Sequence, residues 1–302
     1  MDVGIQLEGQ SGMTWDRWRR LVPIIEDLGF AAIFRSDHFV NPQGPDLDSL
    51  DTWTSLTWLA DHTSRVEFGP LVSPVSIHDP VMLARTAGSL AELSGGRMIL
   101  GVGAGWSQRE HDMFGYDLLG VGPRIDRFVE AIDVINALLG ATEPVSFQGT
   151  HYRLEDAQLL PPPSPALRPP LLLAARGAQR MLPLVAAKAD IWNVHLVDRE
   201  RFREMNTLLD GMILRAGRRP EDVLRTAMLG VEVGRTSADV QRKLEEKSWA
   251  APWRDHGLIS GTPPEIREQF AAWAEAGADR LMLQWLDVDD PAGLEILAES
   301  LP

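Results

Sequence analysis

The sequence has no cysteine among its 302 residues. Disulfide bridges, thiolate zinc sites, iron–sulfur clusters and a cysteine nucleophile are therefore excluded. No apolar run reaches the length of a membrane-spanning helix, and the N-terminus lacks the basic segment that opens a secretory signal. These absences favour a cytoplasmic protein, and we expect no membrane association.

Positive charge is also scarce. The chain carries 29 lysines and arginines against 43 acidic residues, a formal net charge of -14. Such a balance is unfavourable for binding nucleic acid, so we expect no nucleic-acid partner. The seven histidines include neither His-x-His nor His-Glu-x-x-His, and the sequence predicts no metal site.

What the sequence does contain is a regular alternation of short apolar runs and amphipathic stretches. The clearest unit is 95–106, where a two-glycine turn precedes an apolar strand with glycines at its exit. Eight runs of this kind predict strands at 3–7, 31–34, 66–72, 97–102, 171–174, 190–194, 224–233 and 280–286. The amphipathic stretches predict helices at 15–28, 52–63, 81–93, 124–139, 179–188, 199–216, 237–247, 264–275 and 291–300.

This order predicts an α/β fold, a (β/α)8 TIM barrel with insertions that occupies residues 1–302 as one domain. A small hairpin is expected within 145–154, and loops are expected after residue 106 and over 249–262. A doubly wound two-domain arrangement is the alternative, but no linker supports it.

In such barrels, ligands bind on the loops that follow the strands. Asp37 and His38 follow the second predicted strand, and Arg176 and Gly177 follow the fifth. Gly177 precedes a predicted helix, whose N-terminus and neighbouring arginines, Arg176 and Arg180, would suit a phosphate. No lysine stands at a strand end in an apolar setting, which weakens a Schiff-base mechanism.

Several motifs together resemble the bacterial luciferase-like family of flavin- and deazaflavin-dependent oxidoreductases, most closely its coenzyme F420-dependent branch. These motifs are Gly4-Ile-Gln-Leu7, Phe34-Arg-Ser-Asp-His-Phe39, Ser94-Gly-Gly-Arg97, Leu100-Gly-Val-Gly-Ala-Gly-Trp106, Glu110-His111 with Phe114-Gly115, Ala189-Asp-Ile-Trp-Asn193 and Gly261-Thr-Pro-Pro264. They occur in the family's order over nearly the whole chain. The resemblance implies the luciferase-like (β/α)8 barrel, often dimeric, with the cofactor at the carboxyl ends of the strands.

By resemblance, His38 is the acid/base beside the hydride-carrying carbon, and Asp37 either holds the ring system or orients that histidine. A histidine suits proton transfer because it titrates near neutrality.

The third predicted strand is interrupted by Gly69-Pro70. The family carries a bulge here with a non-prolyl cis peptide behind the cofactor ring, which implies ring contacts from residues 70–73, namely Pro70, Leu71, Val72 and Ser73. Aligned on Ser73-Pro74, the cis bond would be Pro70–Leu71. An ordinary bulge or a cis Ser73–Pro74 bond are the alternatives.

The same resemblance implies that the cofactor is flanked by Ala104, Gly105 and Trp106, and that its tail approaches Ala175, Arg176 and Gly177. Some deazaflavin sugar-phosphate dehydrogenases have an acidic residue where Trp106 stands, so their substrate is not transferable. Trp106 indicates an apolar or aromatic substrate wall, with Trp15, Trp53 and Trp285 as companions.

The sequence thus predicts a hydride transfer between coenzyme F420 and a small organic substrate, in a protein that we expect to be a homodimer. An FMN-dependent monooxygenase is the first alternative, and a flavin-binding barrel without catalysis is the second.

Overall fold

The computed structural model describes residues 1–247, 253 and 256–302. In chain order, its strands β1 to β12 are Asp2–Leu7, Ala32–Arg35, Glu67–Pro70, Ser73–Pro74, Leu100–Gly103, Val145–Gln148, Arg153–Ala157, Leu171–Ala174, Ile191–His195, Leu224–Val233, Ile259–Gly261 and Arg280–Trp285. Its helices α1 to α10 are Trp15–Asp27, Thr52–His62, Pro80–Ser94, Gln108–Phe114, Val121–Gly140, Met181–Lys188, Arg199–Arg215, Ser237–Glu246, Pro263–Glu275 and Pro291–Ala298. Two 3-10 turns cover Pro165–Leu167 and Pro220–Asp222.

The main sheet is parallel and runs β3-β2-β1-β12-β10-β9-β8-β5-β4. Because β3 and β4 are two pieces of one interrupted strand, the sheet returns to its starting point. Phe68 of β3 accepts a bond from Ile99 N at 2.8 Å, while Ser73 of β4 is paired with Val102 of β5. The predicted (β/α)8 barrel is therefore confirmed, and the hairpin β6–β7 is an insertion in it.

Apolar residues occupy two separate layers. A small cluster fills the barrel interior and comprises Ala32, Phe34, Leu71, Ile99, Leu172, Ile191 and Met282. A larger cluster lies between the strands and the surrounding helices; helix α1, for example, contributes Trp18, Leu21, Val22 and Ile25 from one face. No helix in the described ranges is long and apolar enough to cross a membrane.

Three local predictions differ from the structure. The expected loop after residue 106 contains helix α4, which has no side-chain cap and only seven residues, so its sequence signal is weak. The expected loop 249–262 includes strand β11, which extends the sheet beside β10, whereas 249–252, 254 and 255 lie outside the described residues. The cis bond predicted at Pro70–Leu71 is instead Leu71–Val72, one peptide later.

Candidate active site

The mouth of the barrel, where the strands end, is polar above the small apolar interior. Gln6 and Gln284 are paired across β1 and β12 and lie above Met282. Glu8 and Ser36 follow the ends of their strands, and both are buried. Alternation along a strand explains this arrangement, since residues two apart share the inward face.

His38 follows β2 and contacts a carboxylate from another loop. Its Nδ1 lies 2.9 Å from Oε2 of Glu110, which is on helix α4 and only 1% exposed. A carboxylate only accepts, so Nδ1 carries the proton and Nε2 is the nitrogen free to face a ligand. The other Glu110 oxygen accepts the backbone N–H of Phe39. Burial disfavours the charged imidazole, but the hydrogen bond and charge of Glu110 outweigh it and raise the pKa of His38.

Asp37, adjacent in the chain, has different partners. Its Oδ2 lies 2.9 Å from Nε2 of His78 and accepts the hydroxyl of Ser73. Although burial opposes ionisation, His78, Ser73 and Thr52 together lower the pKa of Asp37. Burial likewise opposes the charged His78, yet Asp37 raises its pKa. Glu110 therefore orients His38, while Asp37 fixes the loop after β4.

Glycines leave the backbone bare where β3, β4 and β5 meet. A Cβ at Gly101 would lie 2.0 Å from the carbonyl oxygen of Pro70, and one at Gly103 would lie 2.6 Å from Cγ2 of Val72. Leu71 and Val72 pack against the interior cluster, and Ser73 is fully buried. The glycines of β5 thus allow the interrupted third strand to pack directly against the β5 backbone.

The loop after β5 is fixed by His111, which is buried. His111 Nδ1 donates to Ser107 O at 2.7 Å, and its Nε2 accepts from Ser76 Oγ at 2.8 Å. Gly105 has φ +86, and a Cβ there would lie 2.0 Å from Ser76 Oγ. Trp106 is 60% exposed and stands edge-on to the His38 ring, with centroids 5.6 Å apart. An exposed indole beside this imidazole supplies an apolar rim.

The loop after β8 brings one free guanidinium to the rim. Ala175 is buried, whereas Arg176 and Gly177 are exposed. Arg180 is paired with Asp126 at 2.5 Å, but Arg176 has no ion-pair partner within the described part of the chain. Burial, assisted by Arg176, lowers the pKa of His195 at the end of β9.

Sequence reasoning missed several mouth residues because their partners are distant in the chain. Glu8, Gln6 and Gln284 form a polar cluster, although only Gln6 stands within a motif identified from the sequence. Trp253 lies against Gly230, where a Cβ would be 2.7 Å from the indole. Trp285 is not a companion of Trp106: it is 2% exposed and belongs to the layer between strands and helices.

A (β/α)8 barrel whose mouth combines a carboxylate-held imidazole, an interrupted third strand and an arginine at the rim is typical of a ligand-binding or catalytic barrel. Residues 2–280 match the sequence profile of the luciferase-like monooxygenase family. The chain belongs to that family, as its motifs predict.

Curated relatives cover most of the chain. The F420-dependent hydroxymycolic acid dehydrogenase of Mycobacterium tuberculosis is 28% identical over 96% of this chain and 76% of its own length. The F420-dependent glucose-6-phosphate dehydrogenase of Microbacterium testaceum is 27% identical over 92% of this chain and 74% of its own length. Among solved structures, an F420-dependent secondary alcohol dehydrogenase with an F420-acetone adduct superposes with a TM-score of 0.87 at 18% identity, covering 100% and 98% of the two chains.

Proposed function

We propose that this protein is an oxidoreductase that transfers a hydride between coenzyme F420 and a small organic substrate. The observation that carries the proposal is the His38–Glu110 pair at the mouth of a barrel whose sequence relatives are F420-dependent dehydrogenases. When bound, the deazaflavin supplies the carbon that accepts or gives the hydride.

The residues at the mouth fit a flat ring system. A Cβ at Gly101 or Gly103 would meet Pro70 O or Val72 Cγ2, so these glycines let the interrupted third strand lie close against β5 and hold Leu71 and Val72 in place. Gln6 Oε1 is buried with no protein partner, so a ligand bound at the mouth can supply its donor. In the proposed complex, residues 70–73 and 104–106 flank the ring.

The tail of the cofactor would meet residues 175–177. Arg176 is the arginine that remains available for a phosphate, and helix α6 begins close by at Met181. The proposal thus keeps Ala175, Arg176 and Gly177 as the tail site and assigns Arg180 to its pair with Asp126.

His38 performs the proton transfer. During oxidation of an alcohol, the substrate carbon loses a hydride and the substrate oxygen loses a proton, which His38 Nε2 accepts. During reduction of a ketone the protonated imidazole returns it. Glu110 holds the ring in one tautomer and stabilises the imidazolium that forms, as a positioning residue.

Anaerobic titration with F420 and with FMN tests the cofactor. We expect F420 to bind and its fluorescence to change, and we expect His38→Ala to bind F420 normally while losing about 10²–10⁴-fold in turnover. Tight FMN binding without F420 affinity would overturn the proposal.

An FMN-dependent monooxygenase is the second candidate, because barrels of this shape include monooxygenases such as RslO1 from Streptomyces bottropensis, with a TM-score of 0.80. A deazaflavin lacks the ring nitrogen that makes oxygen activation easy, so oxygen uptake with reduced FMN distinguishes the two. Binding without turnover on any substrate would indicate a barrel that has lost catalysis. A homodimer and a cytoplasmic location stay predictions; light scattering tests the first.

A further inference from the structure

The mouth contains a carboxylate whose side-chain hydrogen bonds come from amides. Glu8 Oε1 accepts from Gln284 Nε2 at 2.8 Å and from Gln6 Nε2 at 3.4 Å, and Glu8 Oε2 accepts from Gln10 Nε2 at 2.9 Å. Glu8 is 8% exposed, and no lysine, arginine or histidine forms an ion pair with it in the described ranges. We call Gln6, Glu8, Gln10 and Gln284 the acceptor cage.

The orientation of the amides follows from their other partners. Ser36 Oγ accepts from Gly9 N at 2.9 Å, so its hydroxyl proton is free to donate to Gln10 Oε1 at 2.6 Å. That contact occupies the oxygen of Gln10 and turns its NH2 group toward Glu8. Gln6 also presents its NH2 group to Glu8, because the reverse orientation would place two acceptors together.

Two acceptor positions remain open. A carboxylate offers about four lone-pair sites, and Glu8 uses three of them. Gln6 Oε1, on a side chain that is 0% exposed, has no partner at all. A buried, unpaired acceptor is unfavourable in the free protein and becomes satisfied when a ligand supplies a donor.

Charge distinguishes the cage from the rest of the mouth. The Glu8 charge acts on His38, on His195 and on the buried Arg35, whereas Arg176 acts on His195 from the rim. An anionic group is therefore favoured at the Arg176 side and disfavoured at the Glu8 side.

We propose that the acceptor cage is a substrate subsite that binds a hydrogen-bond donor, such as a second hydroxyl or an amino group beside the reacting carbinol carbon. The inference rests on the proposed function and adds the substrate class: neutral or cationic alcohols that carry such a donor. An acid group at the same position is disfavoured, because Glu8 is already negative, its hydrogen bonds come from neutral amides, and the nearby buried Arg35 forms no ion pair with it in the described ranges.

Three probes of nearly equal size test this subsite by calorimetry on the F420-loaded enzyme. They are 2-butanol with one hydroxyl, 2,3-butanediol with a neighbouring second hydroxyl, and lactate with a carboxylate at that position. We expect the diol to bind about 10–100-fold more tightly than 2-butanol, as one charge-assisted hydrogen bond predicts, and lactate to bind weakest. Equal affinities for the diol and 2-butanol would overturn the inference.

Glu8→Gln should reduce the preference for the diol to about twofold or less and admit lactate. Glu26→Gln is the matched control, because Glu26 accepts backbone amides of residues 64–66 at the opposite end of the barrel and should leave all three affinities unchanged. An unchanged diol preference in folded Glu8→Gln would contradict the assignment.

Gln6→Leu separates a ligand role from a structural one. We expect it to weaken diol binding with little change in melting temperature, because removal of the orphan acceptor offsets the loss of the long 3.4 Å bond from Gln6 to Glu8. A lower melting temperature with unchanged diol preference would show that Gln6 only supports the fold and would refute the subsite. If F420 does not bind, the proposed function is refuted. The same three probes, titrated into the cofactor-free protein, then still test whether the acceptor cage binds a hydrogen-bond donor.

Discussion

Replacing Glu110 by glutamine is the sharpest test of how the site works. The carboxylate accepts from His38 Nδ1 at 2.9 Å with one oxygen and from Phe39 N with the other. Glutamine keeps the size but has a single oxygen. If that oxygen stays with Phe39, the NH2 group faces Nδ1, and His38 moves its proton to Nε2. The nitrogen that should accept the substrate proton is then already protonated.

The magnitude follows from the geometry. One charge-assisted hydrogen bond is lost from a residue that is 1% exposed, so the free energy of unfolding should fall by about 1.5–3 kcal/mol. Loss of a correctly protonated general base should lower turnover by about 10²–10⁴-fold. The pKa of His38 is raised by Glu110, so the variant should titrate at lower pH.

The assay is the pH dependence of alcohol oxidation with F420. Oxidation needs neutral His38, so wild-type turnover should increase as the pH rises through the raised pKa of His38. In Glu110→Gln, this rising limb of the pH profile should move to lower pH. Glu130→Gln is the matched control, because Glu130 accepts the backbone amides of residues 150–152 far from the mouth. Turnover within twofold of wild type, with the limb unmoved and stability reduced, would refute the reasoning and leave Glu110 a structural residue.

Two further predictions concern the loops around the mouth. Gly105→Ala should weaken F420 binding about tenfold or more and destabilise the fold by about 1–3 kcal/mol, because φ is +86 and the new Cβ would meet Ser76 Oγ. Gly122→Ala is the control and should be neutral or stabilising, because a Cβ at Gly122 would have no neighbour within 4 Å. Fluorescence titration with F420 measures the binding of both variants, and chemical denaturation measures their stability. His78→Gln should cost about 1–3 kcal/mol near pH 5.5 and less near pH 9. Asp37 raises the pKa of His78. The pair therefore stabilises the fold fully at pH values below the pKa of His78 in the unfolded chain. This stabilisation is lost as the pH rises through the pKa of His78 in the folded protein. An equal cost at both pH values would contradict this.

Much of the fold was predictable because its signals are local. The bounds predicted for strands 171–174 and 224–233 agree with the structure, since the first is an apolar run and the second is rich in strand-forming residues. Helix α4 was not predicted, because a seven-residue segment that is mostly polar and has no side-chain cap resembles a loop. The position of the cis bond, off by one peptide, depended on an alignment rather than on any local pattern.

For the site, the sequence by itself determined which residues stand at the strand ends, because parallel alternation places every strand's carboxyl end at one mouth. His38 and Asp37 could thus be named from the chain alone. Only the tertiary structure decided their partners: Glu110 is 72 residues from His38, and Gln284 is 276 residues from Glu8. Barrel closure brings such residues together, and no pattern within one strand or helix records which side chains then meet.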